Sequence, residues 1–361
     1  MRTVKQSFFD EFICIADKCP DTCCQGWEIA MDRETLDKYK KYDGPLKDKL
    51  DEAMDYEREV IRFGCDGKCP MLREDGLCSL VLDIGEENLG YTCHTYPRHV
   101  EEYEGLREWS VALSCPHAAH LILNDMSSSY IEEEDDEEDP LEDDFDDFDL
   151  LLFTKLEDSR DVIYKIMKNR KYPALQRMGW CLKLARELQD LLDNDRIFEM
   201  DDCINEWNEG YEDKEYISLY DYRYIDENID ALVRMERLRS DWNDVVDKGG
   251  YFISKGEEHF EMQKTAFDEA MNKFDHDRIL ENIFGSFVYT YYLGAVYDDM
   301  IYAKVAMSVF AVCMMDYLLM CEYENRYEEL NVYAYETIAH RFAKELEHSD
   351  ENLNAVEDYF G

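Results

Sequence analysis

From about residue 155 onward, apolar residues recur at three- and four-residue spacing, the period of a helix with one buried face. Leu184, Ala185, Leu188, Leu191 and Leu192 mark one such face, and Ile229, Leu232 and Val233 begin another. Residues 277–297 and 299–322 predict two long, strongly apolar helices for the centre of a bundle, and residues 326–347 predict a further amphipathic one. The break at Asp298-Asp299 is short, which favours antiparallel neighbours. The first third reads differently. Residues 33–61, from Arg33 through Leu46 and Leu50 to Val60, predict a broken amphipathic helix. Residues 63–98 are punctuated by Cys65-Asp66-Gly67, Asp75-Gly76 and Tyr96-Pro97, all turn signals. No alternation of strands with helices and no internal repeat is evident. The predicted fold class is mainly α: a small irregular cysteine-rich metal-binding region (residues 1–125) packed on a helical bundle (residues 155–361), with an acidic insertion (residues 126–154) between them.

Charge narrows the function classes. The net charge is -46, which argues against nucleic acid and anionic lipid as partners, because both need a basic surface. The run at 131–149, IEEEDDEEDPLEDDFDDFD, repels itself and is expected to be a mobile linker. Its spaced Phe145 and Phe148 keep a docking tail for a basic partner open as the alternative. The stretch from Met1 to Asp10 has no apolar signal region. Ile301 to Met320 is the most apolar stretch, yet it holds Lys304 and Asp316, so it predicts a buried helix and no membrane span. The expected compartment is the cytoplasm.

Nine of the thirteen cysteines lie between Cys14 and Cys115. In a reducing compartment such clustering points to metal or redox chemistry rather than disulfides. Cys14, Cys19, Cys23, Cys24, Cys69, Cys78, Cys93 and Cys115 form the candidate ligand set; Cys65 falls outside the pattern. Thiolates bind soft and borderline metals, and a pair such as Cys19-x3-Cys23 lets one turn of chain present two sulfurs. Eight thiols exceed one four-ligand site, so either some are packing residues or there are two sites. A turn-rich segment of this kind buries little apolar surface alone, and a bound metal would stabilise it. Cys181, Cys203, Cys313 and Cys321 are expected to be small core residues.

The order of these motifs resembles the zinc- or iron-chelating CxxCxxCC proteins, and more closely the flagellin lysine-N-methylases. The residues that carry the resemblance are Cys19-Pro20-Asp21-Thr22-Cys23-Cys24-Gln25-Gly26-Trp27, Cys69-Pro70-Met71-Leu72 and Glu74-Asp75-Gly76-Leu77-Cys78. Cys93-His94-Thr95-Tyr96-Pro97-Arg98 and Leu113-Ser114-Cys115-Pro116 belong with them. It extends through Glu281-Asn282-Ile283-Phe284 and His340-Arg341-Phe342 to Glu347-His348. The resemblance implies transfer of a methyl group from S-adenosylmethionine to lysines of flagellin, with a [4Fe–4S] cluster in the machinery. Zinc is the alternative metal.

The residues add constraints of their own. No G-x-G-x-x-G follows a predicted strand, so S-adenosylmethionine would not bind a recognisable Rossmann unit. Of the radical-enzyme triad C-x3-C-x2-C, Cys19 and Cys23 fit, but Gly26 occupies the third position. Tyr96 and Arg98 are the candidate cofactor-binding residues: the arginine either clamps a carboxylate or serves the X-Pro turn. His94 and His117 are expected beside the metal or at the surface, and Trp27 as packing beside the cysteine pair. Tyr289-Thr290-Tyr291-Tyr292 reads as core rather than as a methyl-lysine cage. No catalytic residue stands out. The rival function is a non-enzymatic zinc or iron–sulfur scaffold or sensor with a helical partner-binding domain.

Overall fold

The computed structural model describes residues 1–126, 130–133 and 148–361. The chain opens with strand β1 (Arg2–Gln6) and loops through the first cysteines to helices α1 (Arg33–Lys41) and α2 (Lys47–Ala53). A two-stranded ribbon, β2 (Met54–Asp55) with β3 (Val60–Ile61), follows, then short helices α3 (Ser79–Ile84) and α4 (Tyr91–Thr95). Asp32 starts α1 as its cap, accepting the Thr35 N–H. Strands β4 (Arg98–Tyr103) and β5 (Leu106–Val111), helix α5 (Pro116–Asn124) and strand β6 (Tyr130–Glu133) complete the first third.

The four longer strands form one sheet in the order β4-β5-β1-β6, with β1 parallel to β5 and antiparallel to β6. This sheet was not expected from the sequence. Its strands lack a clean alternation of polar and apolar residues, with charges adjacent in β4 and β5, and Glu108 on β5 faces inward to Arg160, at 2.5 and 2.8 Å. Residues 131–133 of the acidic run belong to β6 rather than to a linker. Phe148, at the end of that run, packs on Phe153 with ring centres 5.0 Å apart and is not a free docking side chain. The rest of the run, Phe145 included, lies outside the described residues.

Helices make up the remainder: α6 (Leu150–Lys168), α7 (Ala174–Asp193), α8 (Met200–Glu209), α9 (Tyr222–Arg234), α10 (Asn243–Ile253), α11 (Glu257–Met271), α12 (His276–Tyr291), α13 (Ala295–Asp298), α14 (Ile301–Glu322), α15 (Val332–Glu347) and α16 (Asp350–Phe360). The chain is thus mainly helical. α14 is apolar on every face and lies at the centre, packed by α7, α12, α15, α16, α10 and α9. Its length and hydropathy would suit a membrane span, but it is buried inside the protein. Its two buried charges are paired there: Lys304 with Asp298 (2.6 Å) and Glu357 (2.7 Å), Asp316 with His276 (2.7 Å).

Three helix expectations shift. The 277–297 helix stops at Tyr291, and residues 292–298 tighten into a 3₁₀ turn and the short α13. α15 begins at Val332, capped by Asn331, rather than at 326. Val233 is 46% exposed, although Ile229 and Leu232 on the same helix are buried. Cys181, Cys313 and Cys321 are buried and Cys203 is half-buried. The described residues form two apolar cores. The large one joins the bundle to β1, β5 and α5; a smaller one, from Ile29 to Leu80, packs under the cysteine loops.

Candidate metal centre

Backbone pairing gathers the thiols. Cys69 N–H donates to the Cys24 carbonyl at 2.8 Å, Gly26 N–H to the Gly67 carbonyl at 3.1 Å, and Gln25 bridges Lys68. Leu72 bridges Cys78, and Ser79 N–H donates to the Met71 carbonyl at 2.8 Å. Cys24, Cys69, Cys78 and Cys93 therefore meet at the edge of the small core, with Cys69 buried and the others half-buried. Cys115 is the residue before α5, and the N–H groups of His117 and Ala118 point at its sulfur. A helix N-terminus of this kind favours a thiolate.

Electrostatics trace the same gathering. Burial raises Cys19, and the charges of Cys23 and Cys14 add to it. Cys23 is raised well above its ordinary value, first by its hydrogen bond with Cys24. In Cys24 that bond pulls down, but Cys69 and burial push the thiol up to about 12. Burial takes Cys93 to about 12, helped by Cys23 and Cys78, and Cys115 to about 12, helped by Cys19 and Cys23. Each of the eight expected ligands thus lies within reach of the charge of at least one other. Cys65 is exposed in the Gly64–Gly67 turn. Among the described residues, no three Cys, His, Asp or Glu side chains converge into a metal-holding group. The donors fit a thiophilic metal in kind and number; they are neighbours that have not closed on a common point.

The wall behind them is α15 and its end. Glu336, His340, Lys344 and His348 recur every fourth residue, and so lie on one helix face. Glu336 takes His120 of α5 at 2.7 Å. Lys344, 2% exposed, donates to the Thr22 carbonyl at 2.7 Å and to Asp21 at 3.3 Å. Asp21 also accepts from Arg239 at 2.6 Å, and these cations hold its carboxyl below the usual range against the opposing effect of burial. Glu345 receives the N–H groups of Leu238 and Arg239 at 2.7 and 3.2 Å, which fixes the arginine. Gly26 has φ +89°, and a Cβ there would come within 2.7 Å of the Arg239 side chain. Glu347 accepts the Ser114 N–H at 3.1 Å, and His348 meets the Ser114 hydroxyl at 2.9 Å. Burial raises Glu347 to about 7 and lowers His348 to about 3.

Tyr96 is brought to this wall. Its hydroxyl lies 3.3 Å from that of Ser114, and its ring packs beside both Trp27 and His348, 5.7 and 5.5 Å away. Trp27 packs on His348 at 4.2 Å. Arg98 is placed elsewhere: its guanidinium covers the Phe9 and Phe12 rings and donates to the Phe12 carbonyl at 3.1 Å. His94 is exposed; His117 is half-buried against Phe12. Tyr289 and Tyr292 are core, as expected. Sequence reasoning missed Asp21, Lys344, Arg239, Ser114, Glu347 and His348 as site residues. The four-residue polar recurrence along α15 is the signal that could have found Lys344 and His348.

Residues 160–361 match the family described as the FliB lysine N-methylase C-terminal domain. A 127-residue stretch is 32% identical to the flagellar biosynthetic protein FliU of Salmonella muenchen, covering 33% of this chain and 75% of that one. A 135-residue stretch is 30% identical to the lysine-N-methylases of Salmonella typhimurium and Salmonella choleraesuis, covering 35% of this chain and 34% of each of those. The match therefore spans about a third of the lysine-N-methylases' length. No solved structure matches.

Proposed function

This chain belongs to the FliB lysine N-methylase family, and we propose that it is a protein-lysine N-methyltransferase that takes its methyl group from S-adenosylmethionine and acts on flagellin. The observation that carries the reading is the family match over residues 160–361, because α15, which carries the wall behind the thiols, lies inside it. We further propose that thiols from the set Cys14, Cys19, Cys23, Cys24, Cys69, Cys78, Cys93 and Cys115 hold an iron–sulfur cluster. A cluster held by four thiolates would supply redox chemistry; one held by three would leave an open iron for a cofactor's amino and carboxylate groups.

The chain's own residues have separable tasks. A lysine side chain is an ammonium at neutral pH and must lose a proton before its nitrogen can accept a methyl group. Glu347, raised to about 7, is the group at this wall suited to hold that proton. Tyr96 and Trp27 offer ring faces to a cation beside it. Arg98 remains a candidate for a cofactor carboxylate only if its contacts with Phe9 and Phe12 are given up. The proposal suits a reducing cytoplasm, where these thiols stay free.

Anoxically purified protein is expected to carry iron and acid-labile sulfide and to label flagellin from methyl-labelled S-adenosylmethionine. Glu347→Gln, which keeps an acceptor for the Ser114 N–H, should retain the metal and slow transfer about 100-fold. Cluster-replete protein that neither binds nor consumes S-adenosylmethionine with flagellin present would refute the enzyme reading. Zinc without sulfide would replace it with the scaffold.

A further inference from the structure

The Cys19–Cys24 loop and Cys115 are far apart in sequence, yet both are tied to the last turns of α15. Lys344 and its partner Asp21 tie the first; Glu347 and His348 tie Ser114, and through it Cys115. Neither tie involves a thiol side chain. The two segments are therefore held together by groups that leave the sulfurs free.

The charges at this junction have an unusual balance for so acidic a chain. Lys344, Arg239 and Arg341 supply three positive charges; Asp21 and Asp241 supply two negative ones. His340 faces the same carboxylate from 3.9 Å, but burial lowers its ring to about 4, so it stays neutral. Glu345, spent on two backbone N–H groups, is raised by burial to about 7 and offsets this surplus only in part. Part of one positive charge is left over, and the field of Lys344 reaches the Cys23 sulfur. Four thiolates around a divalent metal or a [4Fe–4S]²⁺ core carry two net negative charges. A buried ammonium beside the loop is in place before any metal arrives and offsets part of that charge once the thiolates form.

We propose that Lys344, with Asp21 as its counterion, is a positioning residue that presets the Cys19–Cys23 loop against Cys115 for metal capture. The inference rests on the reading that these thiols bind metal. It gives α15 a task distinct from any part it plays in methyl transfer.

Hydrogen exchange of the full-length, metal-free protein tests it first, since no metal or methyl donor enters that measurement. Lys344→Met should raise exchange across residues 19–27 at least tenfold and leave residues 72–80, whose amides are not bonded to that loop, unchanged. Lys344→Arg, which keeps the cation, should restore protection, and Asp21→Asn should imitate Lys344→Met. Zinc alone, titrated against a chromophoric chelator, should then bind about tenfold more weakly to Lys344→Met than to wild type, with Lys344→Arg close to wild type. Unchanged exchange at 19–27 in a folded Lys344→Met would overturn the proposal. So would zinc affinity that is unchanged despite faster exchange. A wild-type chain that binds neither zinc nor iron, yet shows the exchange pattern, would leave the clamp standing and sink the metal reading instead. Should Lys344→Met fail to fold, the Asp21→Asn and Lys344→Arg pair carries the comparison.

Discussion

His276, at the start of α12, lies with Nε2 2.7 Å from Asp316, a carboxylate 2% exposed that also accepts from Tyr335. Burial pulls the imidazole down, but the Asp316 charge outweighs it and the net shift is upward. A histidine raised in the folded state contributes stability that is complete below its unfolded value, about 6.5, and is lost as pH rises through the folded one. His276→Gln should therefore lower the melting temperature, and the gap to wild type should be wider at pH 6 than at pH 9. Equal gaps would mean that the pair is not ionised as the geometry demands. At this scale the sequence was legible where chemistry resides in one side chain. The cysteines announce themselves in the sequence, and the fold brings Cys24, Cys69, Cys78 and Cys93 to one edge of the small core. Lys344 does not, because its meaning depends on Asp21, 323 residues away.

α14 illustrates what a single element contributes. Its period is lost because every face is covered, so hydropathy, not amphipathicity, revealed it. Phe310, fully buried, packs on Phe342 of α15 and Phe360 of α16 at 6.3 and 5.8 Å. Phe310→Ala should cost about 3–5 kcal/mol in denaturant unfolding, the range for emptying an aromatic site in a core. A loss below about 1 kcal/mol would show that the helices collapse around the gap. The strands were the least legible elements. β1, β4 and β5 are short, and pairing between residues 2 and 106 is fixed by the tertiary fold, not by neighbours in sequence. Helix ends shifted wherever a cap or a tight turn, such as Asn331 or Tyr292–Gly294, set the boundary.

Across the whole molecule, the two cores cut the chain differently from the composition. The division expected at residue 125 follows where cysteines are dense. The large core instead takes β1, β5 and α5 from the first third, leaving residues 29–80 to the smaller one. The cysteine region is thus partly built into the bundle. Metal content should separate the thiols by place. Cys69→Ser, at the buried meeting point of Cys24 and Cys78, should lose most of the bound metal, while Cys65→Ser should keep it. Comparable loss in both would mean that the ligand set is drawn wrongly.

The clamp on Asp21 has a consequence for the newborn chain. Synthesis proceeds at about 5–20 residues per second, so Lys344 leaves the ribosome on the order of 15–60 s after the loop it will hold. Throughout that interval the first cysteines are outside and unlatched, open to a metal donor or to oxidation. A helix made more than 300 residues after the first motif is the one that shuts it, so a nascent chain stalled before residue 332 should carry these thiols in their most alkylation-prone state.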